Sequence, residues 1–113
     1  MHELSIATTL VRTAAESAEH NGAARVVKVR VSLGTLSGVE PDALSFCFPV
    51  AARETICEGA ELDITIVPAR GACPRCRASV EVSDLMAPCP TCGEWPLAVD
   101  GGREMLLLSL EVV

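Results

Sequence analysis

Four cysteines in two closely spaced pairs constrain this chain more than any other feature. They lie in the segment CPRCRASVEVSDLMAPCPTC, whose spacing is C-x2-C-x12-C-x2-C. Each pair can form a tight turn that directs two thiolates at one ion, and the intervening residues can form a short hairpin, with SVEVS as one strand, that brings the pairs together. The spacing therefore predicts one tetrahedral zinc site with the ligands Cys73, Cys76, Cys89 and Cys92.

A closed set of four thiolates leaves no open coordination position, so the predicted zinc is structural. The surrounding segment, residues 70–100, contains few large apolar side chains, and metal binding would supply most of its folding energy. A thioredoxin-like redox pair is the competing interpretation, but two pairs at ribbon spacing disfavour it. Iron in place of zinc stays open on spacing alone.

Hydrophobic periodicity predicts two helices in the first half of the chain. The first covers residues 4–18 and ends at HNG, where Gly22 supplies a left-handed cap and His20 is a solvated residue near the helix end. Its apolar stripe consists of Leu4, Ala7, Leu10, Val11, Ala14 and Ala18. The second helix begins at Pro41, and Pro49 within it predicts a kink or an early end.

Alternating apolar residues predict three strands, near residues 25–33, 60–67 and 104–113. The expected inward positions are Val27, Val29, Val31 and Leu33 in the first strand and Leu62, Ile64 and Ile66 in the second. Together these elements predict an α/β protein of the α+β kind: a small three-stranded sheet with two helices on one face, plus an inserted zinc-ribbon lobe. The expected domains are residues 1–69 with 101–113, and the lobe of residues 70–100.

Composition narrows the function classes. Nine basic and fifteen acidic residues give a net charge of −6, and only three residues are aromatic, which disfavours binding to nucleic acid. The start of the chain lacks the basic region of a signal peptide, and apolar runs such as MLLLSL are too short to span a membrane, so we expect a cytoplasmic protein without a membrane partner. No P-loop or Ser/His/Asp set is present, and we expect no enzyme activity.

The opening residues Met-His-Glu could form a second metal site. The amine of Met1, the peptide nitrogen of His2 and the His2 imidazole can close fused chelate rings around one ion, and the Glu3 amide can complete a plane. Ni(II) and Cu(II) favour such nitrogen-rich, square-planar sites. The alternative is a frayed and solvated terminus without a ligand. Cys47 and Cys57 are isolated, and we assign them no function, since a buried and inert thiol explains Cys47.

Four segments taken together resemble the HypA/HybF family of hydrogenase nickel chaperones. They are MHELSIA, RVVKVRVSLGTLSGVEPDALSFCF, CEGAELDI and the paired C-x2-C, in order over nearly the whole chain. The resemblance implies a nickel metallochaperone that binds Ni(II) transiently at His2, with Glu3 and Glu40 nearby, and a structural Zn(II) at the cysteines. It also implies delivery to the [NiFe]-hydrogenase large subunit in partnership with the GTPase HypB.

Some points stay open beside the resemblance. Glu40 directly precedes Pro41, so its carboxylate can serve the start of the second helix alone. Arg77 and Gly93 follow the cysteine pairs where some relatives have histidine, so an exchange of zinc ligands from Cys to His is unavailable in this chain. A zinc-ribbon adaptor that binds proteins without a nickel role is the alternative function. A homodimer and urease as a client also remain open.

Overall fold

Two α-helices and six β-strands make up the described part of the chain. The computed structural model describes residues 2–82 and 88–113, with His2 described by its backbone alone. None of the described helices is long and apolar enough to cross a membrane. The elements follow in the order α1 (His2–His20), β1 (Val26–Gly34), α2 (Pro41–Ala52), β2 (Glu61–Val67), β3 (Ala69–Ala72), β4 (Ser79–Val82), β5 (Ala98–Asp100) and β6 (Met105–Val112).

The first helix buries one stripe of small and aliphatic side chains, as its periodicity predicts. The stripe begins one turn later than expected, because Leu4 is 36% exposed. The helix ends at the predicted cap: Gly22 has a φ of 75°, and the Ala23 N–H donates to the carbonyl of Ala18 over 2.9 Å. These contacts satisfy carbonyls of the last turn. The buried members are Ala7, Leu10, Val11, Ala14 and Ala18.

The second helix begins as predicted and does not end early. Pro41 occupies its first turn, and Glu40 is the N-cap, with φ −84° and ψ 117°. Pro49 lies inside the helix, which continues to Ala52. Proline removes one N–H from the helical ladder, yet burial of the helix outweighs that loss, since Phe48 and Ala52 on either side are each 1% exposed. The expectation of an early end at Pro49 is therefore wrong.

The strands β1 and β2 are neighbours in a three-stranded sheet of order β2-β1-β6. Lys28 Nζ lies 3.0 Å from a Glu61 carboxylate oxygen, and Arg30 Nε lies 3.8 Å from one of Asp63. The pairing advances in the same direction along both strands, so β1 and β2 are parallel. The helix α2 forms the crossover between them, as parallel strands require.

The strands β1 and β6 are antiparallel. The Val113 N–H donates to the Arg25 carbonyl over 3.0 Å, at the start of β1 and just past the end of β6. The Gly34 N–H donates to the Glu104 carbonyl over 2.9 Å, where β1 ends and β6 is about to begin. The third predicted strand therefore pairs with the first.

The predicted alternation of buried and exposed residues holds in the middle of β1, but it fails at one position of β1 and at one position of β2. Val29, Val31 and Leu33 are buried as expected, but Val27 is 43% exposed, because burial at the start of the strand falls on Val26. In β2, Leu62 and Ile64 are half-buried and pack on the core. Ile66 is 48% exposed, since it lies past the last residue of β2 that packs on this core.

The two helices share one apolar core with a single face of this sheet. The core joins the stripe of α1 to alternate residues of β1 and to the buried side of α2, while the charged pairs of Lys28 and Arg30 occupy the opposite face. The predicted α+β arrangement is thus confirmed. The buried members are Leu10, Val11, Ala14, Ala18, Val26, Val29, Val31, Phe48, Ala52 and Cys57.

The chain divides into two compact units. One consists of residues 1–32, 39–65 and 106–113, and the other of residues 33–38 and 66–105. The second unit thus includes 33–38 and the flanks of the 70–100 lobe expected from the sequence. It has its own three-stranded antiparallel sheet of order β4-β3-β5.

The segment SVEVS forms a strand as predicted over its described residues, Ser79–Val82. It pairs with β3, with Ala72 opposite Ser79. The rest of that expected hairpin falls on residues 83–87, outside the described residues. A second small core holds the sheet together, with the buried members Ala69, Cys73, Val82, Cys89 and Leu97.

Candidate metal centre

Four thiols converge at one point of the second unit. The sulfur atoms of Cys73, Cys76, Cys89 and Cys92 all lie within 4.8 Å of one another. Cys73 Sγ is 3.5 Å from Cys92 Sγ, and Cys76 Sγ is 3.7 Å from Cys89 Sγ. All four are free cysteines. A tetrahedron with Zn–S bonds of about 2.3 Å has S–S edges of about 3.8 Å, so the cluster has the size of a zinc site.

The two cysteine pairs sit in turns with the same hydrogen bonds. In the first turn, the Arg77 N–H donates to the Cys73 carbonyl over 2.8 Å, and the Cys73 N–H donates to the Ala78 carbonyl over 3.0 Å. In the second turn, the Gly93 N–H donates to the Cys89 carbonyl over 2.7 Å, and the Cys89 N–H donates to that of Glu94 over 2.8 Å. The second turn therefore repeats the first.

Each turn needs a left-handed residue directly after its second cysteine. That residue is Arg77 in the first turn, with a φ of 62°, and Gly93 in the second, with a φ of 79°. A left-handed conformation is energetically unfavourable for arginine, because its Cβ lies close to the backbone, whereas glycine has no Cβ and adopts it readily. The two backbone hydrogen bonds that close the first turn compensate for this cost.

Strands of the second sheet hold the two turns in place. The first turn is the loop of a hairpin, since β3 ends at Ala72 and β4 begins at Ser79. The second turn leads into Leu97, whose side chain packs beside Cys73 and Cys89 in the second core. Each pair has one buried cysteine, Cys73 or Cys89, and one exposed cysteine, Cys76 or Cys92.

Backbone donors set the acidity of the buried thiols. The Cys76 N–H, 3.4 Å from Cys73 Sγ, lowers the pKa of Cys73. The Cys92 N–H likewise lowers the pKa of Cys89 to about 6. The Glu94 N–H lowers the pKa of Cys92 too, but the hydrogen bond with Cys73 and desolvation outweigh it and raise this pKa to about 12. Thiolates this close repel one another, so a cation bound by all four would favour their ionisation.

The second group of predicted site residues lies at the starts of the two helices. His2 is the first residue of α1, and its side chain is outside the described part. Glu3 follows in the first turn, and its Oε2 accepts a hydrogen bond from the Glu40 N–H over 3.2 Å. Glu40 Oε1 in turn accepts from the Asp42 N–H over 3.2 Å, so this carboxylate caps α2. The structure thus brings Glu3 and Glu40 together.

The remaining cysteines and the second histidine belong to the first unit, whereas the four-cysteine cluster belongs to the second. Cys47 and Cys57 are buried in the first unit. Cys57 Sγ lies 3.9 Å from the Val11 carbonyl oxygen, and desolvation raises the pKa of Cys57. His20 is exposed at the end of α1, as predicted.

Neither the strands β3 and β5 nor the equivalence of the two turns was predicted from the sequence. Both strands are short, at four and three residues, and alternate too briefly to be recognised from periodicity. A signal for the turns was present, because glycine directly follows the second C-x2-C pair at Gly93. The same position of the first pair holds Arg77, which hides the repeat.

The sequence matches a known protein family over nearly its whole length. The family described as "Hydrogenase/urease nickel incorporation, metallochaperone, hypA" matches residues 1–112. The hydrogenase maturation factor HypA of Geobacter metallireducens is 43% identical over 99% of both chains. That of Rhodobacter capsulatus is 42% identical over 100% of both chains.

Solved structures of HypA proteins have the same fold. A solution structure of the nickel metallochaperone HypA from Helicobacter pylori has a TM-score of 0.68 and 27% identity, covering 98% of this chain and 97% of that one. A second solution structure of a HypA protein has a TM-score of 0.70 and 29% identity, covering 100% and 97%. Members are maturation factors and not enzymes, which confirms the expectation that this chain is no enzyme. The chain belongs to the HypA family of nickel-incorporation metallochaperones.

Proposed function

We propose that this protein binds Ni(II) at the start of α1 and delivers it for [NiFe]-hydrogenase maturation. The ligands are the His2 imidazole and main-chain nitrogens of the first residues, including the amine of Met1. The partners are a HypB-type GTPase and the hydrogenase large subunit, in the cytoplasm. A zinc ion bound by the four cysteines stabilises the second unit and is not transferred.

The backbone at the start of α1 is suited to this role. The first four N–H groups of an α-helix have no acceptor within the helix, and His2 is the first residue of α1. Its peptide nitrogen can therefore lose a proton to a metal without breaking a helical hydrogen bond. Because bound amides must be deprotonated, nickel affinity falls as the pH falls, which makes the cargo releasable.

The contact between Glu3 and Glu40 is the observation that best supports the nickel site. It fixes a carboxylate next to His2 in the chain and holds the start of α2 against the start of α1. Charges around a metal orient its ligands and raise the affinity, so these two acids serve as outer partners of the nickel. We assign the larger contribution to Glu3, because Glu40 is already committed to capping α2.

The four-cysteine cluster fits zinc in number, type and spacing of its ligands. Cys73 and Cys89 also belong to the second core, next to Val82 and Leu97. Metal binding and folding of this unit are therefore coupled. Such a site suits a structural ion and not a transferred one, because release of the ion would disturb the packing of Cys73 and Cys89 in this core.

Nickel titration of untagged His2→Ala protein tests the proposal, with zinc measured in parallel. We expect nickel binding to be lost while zinc content and circular dichroism stay unchanged. The matched control is His20→Ala, which removes the exposed histidine at the other end of the same helix and should leave nickel binding intact. Stoichiometric nickel binding by His2→Ala would refute the site and favour a zinc-ribbon adaptor without a nickel role.

A further inference from the structure

An open groove of about 530 Å³ runs beside α1 in the first unit, and none of its described lining residues is a proposed metal ligand. One wall is α1, and the other is formed by Ala51, near the end of α2, and the residues 54–56 that follow the helix. The floor is apolar: Val11 is buried, and Ala51 and Ile56 are half-buried and pack on the core. The groove exposes apolar surface that the rest of the unit does not cover.

The wall on α1 has helical spacing. Its residues are Thr8, Val11, Arg12, Ala15, Glu16 and Glu19, spaced so that they form one stripe over three turns. The stripe is about 16 Å long at 1.5 Å per residue. It lies beside the buried stripe of the same helix, and its central position is the small residue Ala15. A small side chain there lets another helix approach closely.

The rim of the groove is acidic. Glu16, Glu19 and Glu54 line it, and Arg12 is the one basic residue among the lining residues that the structure describes. Within the described part of the chain, the ion pairs are those of Lys28 with Glu61 and of Arg30 with Asp63 and Glu111. None of them uses a charge of the groove. The three carboxylates are therefore available to an incoming cation.

The unit around the groove is acidic as a whole. It contains five Lys and Arg against ten Asp and Glu, a net charge of −5 out of −6 for the chain. This field attracts basic partners and repels acidic ones. The net charge of the unit and the carboxylates at the groove thus both favour a positively charged partner.

We propose that this groove is a docking site for a basic amphipathic helix of a partner protein. The helix places apolar side chains at i, i+3, i+4 and i+7 on the floor, and Lys or Arg on its flanks pair with Glu16, Glu19 and Glu54. The described lining of the groove begins at Thr8, one to two turns after the start of α1. A partner bound in the groove can therefore leave the start of α1 accessible, wherever nickel binds.

Selection from a displayed library of helical peptides, with one face randomised, tests the site on the zinc-loaded protein. We expect enriched peptides to have an apolar stripe flanked by Lys and Arg. Their binding should shift the amide resonances of Ala15, Ala51 and Ile56. Enrichment of acidic peptides, shifts confined to other surfaces, or no enrichment at all would each overturn the proposal.

Charge reversal supplies the matched variants. Glu16→Lys with Glu19→Lys should weaken a selected peptide about tenfold, because each exposed pair is worth roughly 0.2–1 kcal/mol. Both residues are exposed on α1, and lysine near a helix end is tolerated. Glu81→Lys in the second unit reverses the charge of a residue that is not among those described as lining the groove, and it should leave binding unchanged. Equal weakening by Glu81→Lys would reduce the effect to net charge and contradict a built site.

A second copy of this chain is the other occupant that the experiment can reveal. Sedimentation at increasing protein concentration, without peptide, distinguishes the two cases. A monomer with unchanged amide shifts at Ala15 and Ile56 supports a foreign helix. Concentration-dependent shifts at these residues would assign the groove to a homodimer and overturn the proposal.

Discussion

The Glu3 carboxylate accepts a hydrogen bond from the backbone N–H of Glu40 over 3.2 Å, which ties the first turn of α1 to the N-cap of α2. A single side chain next to His2 therefore both stabilises a helix start and places a negative charge beside the proposed nickel ligands. The two roles can be separated by substitution, since glutamine keeps the acceptor oxygen and loses the charge.

Replacement of Glu3 should lower nickel affinity in two steps. Glu3→Gln retains a hydrogen bond to Glu40 and should lose about tenfold, whereas Glu3→Ala loses bond and charge and should approach a hundredfold. Isothermal titration with Ni(II) measures both. Glu19→Gln, with the same charge change at the far end of α1, is the control. Equal affinities for the wild type and Glu3→Ala would remove Glu3 from the nickel site.

Replacement of Glu40 should affect stability more than nickel affinity. Its carboxylate caps α2 through the Asp42 N–H, so Glu40→Ala should reduce the free energy of unfolding by roughly 1 kcal/mol. Glu40→Ser supplies another capping oxygen and should restore most of it. Urea denaturation checks the ranking. A nickel defect in Glu40→Ser as large as that of Glu3→Ala would instead make Glu40 an equal partner in the metal site.

Replacement of one zinc ligand should disorder the second unit and spare the first. Cys73→Ala removes a ligand and a member of the second core, so zinc content and amide protection of β3 and β4 should be lost. The core formed by α1, α2 and β1 contains none of the four ligands and should persist. The control is Cys47→Ala, a buried cysteine of the first unit, which should keep full zinc content. Full zinc retention in Cys73→Ala would contradict a four-cysteine site.

Long periodic elements were predictable from the sequence, and contacts between distant residues were not. The stripe of α1 and the alternation around Val29 and Val31 repeat often enough to fix a helix and a strand. The spacing of the four cysteines predicted that their thiols converge at one point, because thiolates in two C-x2-C pairs have few other uses. The bond between Glu3 and Glu40, by contrast, joins residues 37 positions apart and depends on how the two helices pack.

The predictions of burial and of helix ends failed at positions where the structure departs locally from the regular pattern. Val27 and Ile66 obey the period of their strands and are nevertheless exposed, because burial is decided by what covers a position and not by its parity. Pro49 is tolerated within α2 because its neighbour Phe48 is fully buried in the core. In the second unit, β3 is too short to show a periodic pattern, and it is stabilised as a strand by pairing with β4 on one side and β5 on the other.

The equivalence of the two cysteine turns leads to a pair of opposite predictions. Arg77 and Gly93 occupy the same left-handed position, with φ values of 62° and 79°. Arg77→Gly should relieve strain and slow zinc loss to a chelator, whereas Gly93→Ala should introduce strain of about 1 kcal/mol and accelerate it. Apart from its chain neighbours, no atom of the described residues lies within 4 Å of a Cβ on Gly93, so the substitution tests the backbone conformation. Chelator competition with a zinc dye gives both rates. If Gly93→Ala released zinc no faster than the wild type, the second turn would not require its left-handed residue.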